Sequence, residues 1–505
     1  MEDFREDFRP TRRQVLAAGA AGSFLAAFTR WSPAGAAPGD PSPTDPADMT
    51  LVELLPALEA RRLSARELVD ACIARAERHE PTIQAFVTPT FDLAREGATA
   101  VDESRAAGRP VGPLAGVPVG LKDLYYTRGI PTTAGSRALA DFVPPFDATA
   151  WTRLSAAGAV LMGKLNTHEF ALGTSSPPTT NPWDTSRNPG GSSGGSAAAL
   201  AARMMPIALG TDTGASIRVP AAVCGVAGIK PTYGRCSRRG VISLAWSLDC
   251  PGPMARRILD VAVLLGIMAG VDPADPTTLA TEVGPYPTAV PDSLAGTRIG
   301  VPETYFWDGL DADVDRVARE ALGRLQELGA ELILVPMPAS TDAVLGDPLG
   351  PYEKTVAVEA ASYHRQLIRE RGPMYSPEVL ATIESGEGIS GPDYLDFQRL
   401  RATWAREWKE TFVTLRLDAV ASPVVPDPPG PQTPARNAFA GPSFNLTKPW
   451  NLNGFPALSV PAGLDSRDLP VGLQLAGLPL EEGRILAIAA ALDEDIRFFT
   501  RTPPL

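Results

Sequence analysis

The sequence predicts an α/β protein with a mostly parallel, twisted sheet, and three observations point there. Short β-branched segments bounded by glycine recur at 116–121, 159–162, 297–301 and 331–335. Segments with helical caps and helical spacing precede or separate them, which is the pattern of a parallel sheet with crossover helices. A run of Gly, Ser, Thr, Pro and Asn at 172–197 cannot be core, and it feeds an alanine-rich helix former at 197–202. In such sheets, sites gather at the carboxyl ends of strands.

The elements follow in order. Capping-box spacing at Thr50/Glu53 and Ser64/Glu67 opens two N-terminal helices. The segment 116–121 reads as a buried strand that ends at Lys122-Asp123. A helix is expected over 148–157 and a strand over 159–162. The Pro-rich stretch 273–291 reads as a surface connection, and the strands at 297–301 and 331–335 flank one more helix. No internal repeat is present, and 340–440 carries the weakest pattern.

Composition bounds the function. The 505 residues are 44% hydrophobic and 21% charged, which excludes a disordered or coiled-coil chain and assures a sizeable core. With 46 Lys and Arg against 58 Asp and Glu, the net charge is -12, and nucleic acid is not an expected partner. Three histidines, His79, His168 and His364, leave no basis for a His-rich metal site, and neither metal nor cofactor is expected. Cys72, Cys224, Cys236 and Cys250 form no C-x-x-C pair and read as buried free thiols.

Residues 1–36 read as a twin-arginine export signal: Arg12-Arg13 precede an apolar run of small residues at 15–28, then Ala34-Gly35-Ala36. The run is too short to span ~30 Å of hydrocarbon. The expectation is therefore a cleaved signal, a single domain over 37–505 without a stable membrane anchor, the twin-arginine machinery as a partner, and a periplasmic or extracellular location.

Several chemistries compete for the run Pro189-Gly190-Gly191-Ser192-Ser193-Gly194-Gly195-Ser196 and for Thr211 to Pro220. A phosphate loop needs a lysine closing the glycines, and none lies between Lys164 and Lys230. Ser193 formally satisfies G-x-S-x-G, with His364 as the one histidine far enough along the chain to complete an α/β-hydrolase esterase triad. None of the six lysines has a serine three residues before it, so a Ser-x-x-Lys motif is absent. The remaining base for a serine nucleophile is a desolvated lysine, and Lys122, ending an apolar strand, is the best candidate. Lys354 and Lys409 lie in polar helical surroundings and Lys448 in a Pro-rich loop.

Taken together, Lys122 in Gly-Val-Pro-Val-Gly-Leu-Lys-Asp, the Gly-Gly-Ser-Ser-Gly-Gly-Ser run and Thr-Asp-Thr-Gly-Ala-Ser-Ile-Arg resemble the amidase signature family. The likeness is close over 115–260 and resumes at 451–477. It implies a mixed, mostly parallel sheet covered by helices on both faces, and hydrolysis of carboxamides, with esters or carbamates also reacting, through an acyl-enzyme. By motif position it implies Ser216 as nucleophile, Ser192 as a proton-relaying serine after a cis peptide bond, and Lys122 as general base. The backbone N–H groups of Thr213, Gly214, Ala215 and Ser216 would form the oxyanion hole, with Ser193, Asp212 and Arg218 in support and Lys230 structural. Ala215 stands where a second glycine is usual in the family, which is harmless unless that position needs a positive φ.

The substrate expected is a small-molecule or peptide amide, and the sequence admits a homodimer without requiring one. The family also includes one component of a tRNA amidotransferase, a role the export signal argues against. The reading from another class is an exported ligand-binding or catalytically impaired relative, which would have no need of Lys122, Ser192 and Ser216 together.

Overall fold

The protein is seen here as a computed structural model, which describes residues 45–347, 350–432 and 446–505. Its frame is an 11-stranded sheet in the order β1-β3-β2-β4-β6-β5-β10-β11-β9-β7-β8. The strands are β1 Phe86–Pro89, β2 Pro118–Lys122, β3 Val160–Leu165, β4 Ile207–Asp212, β5 Ala227–Lys230, β6 Cys250–Ala255, β7 Arg298–Pro302, β8 Glu331–Val335, β9 Ala419–Pro423, β10 Ala457–Leu464 and β11 Pro470–Ala476. The sheet is mixed. Parallel pairing falls in two blocks, β3-β2-β4 and β9-β7-β8. Between them β6, β5, β10, β11 and β9 pair antiparallel, β10 and β11 because they form a hairpin whose turn is tied by Asp465 Oδ1 to Arg467 N at 2.8 Å and Leu469 N at 2.9 Å.

Both expected capping boxes are made, Thr50 with Glu53 and Ser64 with Glu67, at the starts of helices Leu51–Glu59 and Ala65–Ile83. The segments 297–301 and 331–335 become β7 and β8 around helix Ala312–Glu327. The stretch 273–291 has no regular element. The described residues of the 340–440 region hold four α-helices, Thr341–Leu345, Pro351–Arg371, Pro377–Ser385 and Gly391–Leu415, as well as β9. All four cysteines are buried and free. These described elements belong to one compact unit, Pro43–Leu505. The segment read as an export signal, 1–36, lies outside the described residues.

Buried carboxylates lock successive helices together by capping N-termini. Asp493, in helix Glu482–Ile496, accepts from Ile258 N at 2.9 Å, opening helix Ile258–Met268. Asp260, in the first turn of that helix, accepts from Leu51 N and Val52 N, both at 3.0 Å. Burial pushes Asp493 up to about 7 and Asp260 up to about 6, and Asp493 Oδ1 has no hydrogen-bond partner among the described residues. Groups raised in the fold hold protons that the unfolded chain releases near pH ~4, so stability falls as pH rises from ~4 to ~7. Asp493→Asn, which keeps the acceptor and loses the charge, is expected to raise the melting temperature at pH 8 and leave it unchanged near pH 4. Circular-dichroism melts check this, and equal effects at both pH values would count against it.

Candidate active site

Two parallel strands deliver the central residues. β2 and β4 run side by side, Leu121 opposite Leu209, so Lys122 and the Thr211-Asp212 pair emerge at the same edge. β6 runs antiparallel to β4 with Cys250 opposite Asp212, which brings the preceding Asp249 to that edge. The glycine run 190–195 then crosses it. A Cβ on Gly191 would lie 2.3 Å from Ser175 O, and one on Gly195 2.5 Å from Asn166 N, so only glycine lets the turn pass. Helix Gly194–Ala201 starts three residues earlier than its alanine run, because Ser176 Oγ accepts from Gly194 N at 3.0 Å.

Lys122 Nζ lies 2.7 Å from Ser192 Oγ and 2.8 Å from Thr211 Oγ1. The Gly191-Ser192 peptide bond is cis. Ser192 O accepts from Ser176 Oγ at 3.0 Å, and Ser193 N donates to Ser216 O at 3.2 Å, so the serine run and the Ser216 loop are stitched together. Lys122 and Ser192 are fully buried, while Ser216 is 6% exposed and is the one of the three that meets solvent. Burial brings Lys122 down to about 7, against the pull of the Asp212 and Asp249 carboxylates. The amine can therefore be neutral at ordinary pH.

The 213–216 loop has an unusual backbone. Among the described residues, none of the N–H groups of Thr213, Gly214, Ala215 and Ser216 donates to a protein acceptor. Four consecutive free amides make a site for an anion. Ala215 has no positive φ, so alanine adds no backbone strain there. Gly214 is needed for space: a Cβ there would lie 2.0 Å from the Tyr352 hydroxyl.

Below the loop, Arg218 is fully buried and binds Asp212 through Nε at 3.0 Å and Nη2 at 2.9 Å, with Thr447 O and Gln474 Oε1 each at 2.8 Å. Burial alone would raise Asp212, but Arg218 and then Asn451 hold it at about 2. Ser193 Oγ sits 3.3 Å from both Thr211 N and Thr211 O. His364 is elsewhere, in helix Pro351–Arg371, with Nδ1 3.0 Å from Tyr375 OH and its ring against Phe170. Burial lowers it to about 4. The esterase alternative pairing Ser193 with His364 therefore fails on geometry.

Some site residues are not readable in the sequence. Thr211 stands in the Thr-Asp-Thr-Gly motif and Asn451 opens the 451–477 likeness, yet the sequence assigns neither a role; Tyr352 and Asp249 carry no local motif of their own, and only the fold brings them to the loop. Lys448 lies in a turn, as the sequence reads it, just before the short helix Pro449–Leu452. It is buried, 2.9 Å from Glu353 Oε1, across a separation no local pattern reports.

A lysine buried against a serine and a threonine hydroxyl beside free backbone amides, on this sheet, defines an enzyme that works on carbon–nitrogen amide bonds. The chain belongs to the amidase family, whose model, described as Amidase, matches residues 67–486. The matching component of the glutamyl-tRNA(Gln) amidotransferase of Chloroflexus aurantiacus is 43% identical over 484 residues, covering 90% of this chain and 98% of the relative. The crystal structure of the corresponding amidotransferase component from Thermotoga maritima is 32% identical with a TM-score of 0.74, over 90% of this chain and 96% of that one. The peptide amidase PAM, solved with the competitive inhibitor chymostatin, is 30% identical with a TM-score of 0.80, over 90% and 99%.

These findings overturn the expected exported location. The Chloroflexus relative, matched along almost its whole length, is named for a reaction on tRNA, a macromolecule made and used inside cells. The twin-arginine machinery is withdrawn as a partner, and so is the objection to an amidotransferase role that rested on it.

Proposed function

We propose that the chain hydrolyses a carboxamide through an acyl-enzyme in which Ser216 is the nucleophile, Ser192 relays its proton and Lys122 is the general base. One observation carries the reading: a fully buried lysine, brought down to about 7, lies 2.7 Å from a serine hydroxyl stitched to the Ser216 loop. Neutral Lys122 draws a proton from Ser192 as Ser192 takes the one from Ser216, whose Oγ attacks the carbonyl. The oxyanion settles on the free amides of the 213–216 loop. Run backwards, the relay protonates the leaving nitrogen, without which an amide does not depart. Water then enters by the same route and releases the acid.

Two substrate readings follow from the relatives. The higher structural likeness to the peptide amidase, TM-score 0.80 against 0.74, favours a free-standing amidase acting on small or peptide amides. The 43% identity along nearly all of an amidotransferase component favours an ammonia-releasing part of such a complex. Ammonia and amine release by the full chain, across aliphatic, aromatic and peptide amides and free glutamine, separates them. Turnover of the panel without glutamine supports the free-standing amidase, and turnover of glutamine alone supports the amidotransferase role. Silence on every amide, with no labelling of Ser216 by a fluorophosphonate, would return the chain to the binding-protein reading.

A further inference from the structure

We propose that Asp249 is a positioning residue for the oxyanion loop, acting through the Thr213 hydroxyl. The inference rests on the hydrolytic reading above and deepens it. The four N–H groups make no hydrogen bond of their own among the described residues, so the loop is held through its carbonyls, Gly214 O accepting from Arg218 Nη2 at 3.3 Å, Ala215 O from Val219 N at 2.8 Å and Ser216 O from Ser193 N at 3.2 Å, and through its flanks. This frame is visible at both ends. Downstream, Asp212 Oδ2 accepts from Ile217 N at 3.2 Å and Arg218 N at 3.3 Å. Upstream, Thr213 Oγ1 donates to Asp249 Oδ1 at 2.6 Å.

Asp249 is itself fixed from several directions. Its Oδ2 accepts from Ser243 Oγ at 2.7 Å and Leu244 N at 3.0 Å, and Ala245 N reaches Oδ1 at 3.1 Å. The same segment is held from outside, since Ser247 N and Oγ donate to Glu359 at 2.7 and 2.6 Å and Arg401 donates to Ser247 O at 3.0 Å. Glu359 belongs to helix Pro351–Arg371, which also sets the Tyr352 hydroxyl against Gly214. One helix thus braces the loop directly at Gly214 and indirectly through Asp249.

The Thr213 proton points at a carboxylate, so this hydroxyl is no donor to the substrate. Its effect is to place the backbone. Asparagine at 249 cannot replace aspartate cleanly, because its NH2 group must face one of the donors from Ser243, Leu244, Ala245 or Thr213. Oxyanion donors act only within about 2.7–3.1 Å of the developing charge, and losing one costs on the order of 100-fold in rate.

The test is the rate at which a fluorophosphonate phosphonylates Ser216: Oγ bonds to phosphorus, its proton passes through Ser192 to Lys122, fluoride leaves, and the phosphoryl oxygen occupies the oxyanion site. Thr213→Val and Asp249→Asn are each expected to lower the saturating rate by about 10- to 100-fold, with the half-saturating concentration changed by less than about 3-fold. Thr213→Ser, which keeps the hydroxyl, should restore most of the rate, and the double variant should be no slower than the slower single. A wild-type rate in Thr213→Val, or losses that multiply in the double, would overturn the proposal. If Asp249→Asn does not fold, Thr213→Val against Thr213→Ser decides alone. Ser216→Ala separates the two layers: continued labelling there sinks the hydrolytic reading and this inference with it, whereas loss of labelling there with an unaffected Thr213→Val sinks this inference only.

Discussion

Lys122→Ala is expected to lower kcat on the best amide of the panel by about 10,000-fold, and Ser216→Ala by at least as much, with folding retained in both. The size follows from the relay. Ser192 and Ser216 are both weakly acidic alcohols, so with Lys122 gone nothing in the buried chain accepts the proton and nothing returns it to the leaving nitrogen. Folding survives because Lys122 does not offset a buried charge. The wild-type profile of kcat/KM against pH should rise through about 7 as the ammonium of Lys122 loses its proton, and then level off. The sign also runs through stability. A lysine lowered in the fold stays protonated longer in the unfolded chain, so the stability it withholds returns as pH climbs from about 7 to ~10. Stopped-time assays from pH 5 to 10 measure the first. A profile flat across pH 7 would remove Lys122 as the base, and an inflection that survives Lys122→Ala would point to another group.

Two buried lysines show how far the sequence can be read. Lys122 and Lys164 lie at the ends of the adjacent strands β2 and β3, and both are fully buried. Apolar β-branched runs announce such strands, which is why both strands are legible along the chain. What separates the two lysines is the third dimension. Lys164 Nζ lies 3.0 Å from Asp123 Oδ1 and 2.6 Å from Thr132 Oγ1; burial lowers it as it lowers Lys122, but the adjoining Asp123 carboxylate opposes that shift directly. Lys122 faces hydroxyls only, among its hydrogen-bond partners' side chains. Capping boxes, Gly-bounded strands and the glycine run are local, and local patterns are what a sequence displays. Tyr352 and Asp249 meet the 213–216 loop, and Asn451 meets Asp212 at its start, through contacts more than thirty residues distant, and the helical region that supplies Tyr352 gives no sign of it in its own pattern.

Arg218→Met should cost about 3–5 kcal/mol of stability, because it strands a carboxylate in a fully buried site. The guanidinium spreads its donors over Asp212, Gln474, Thr447 O and Asn451, joining helix Arg218–Cys224 to β4, β11 and the short helix Pro449–Leu452. Lysine cannot serve all of them, so Arg218→Lys is expected to recover little. The pH dependence distinguishes lost charge pairing from lost packing. In the wild type, Asp212 near 2 contributes stability that is present above ~4 and lost as pH falls toward 2. Without Arg218 the buried carboxyl prefers its proton, its pKa moves up, and the penalty grows as pH rises above ~4. Urea unfolding at pH 7.5 and pH 4.5 should therefore find the loss larger at the higher pH, and Asp212→Asn added to Arg218→Met should recover part of it. An equal loss at both pH values, with no recovery in the double variant, would mean that Arg218 holds the loop by shape and hydrogen bonding rather than by charge.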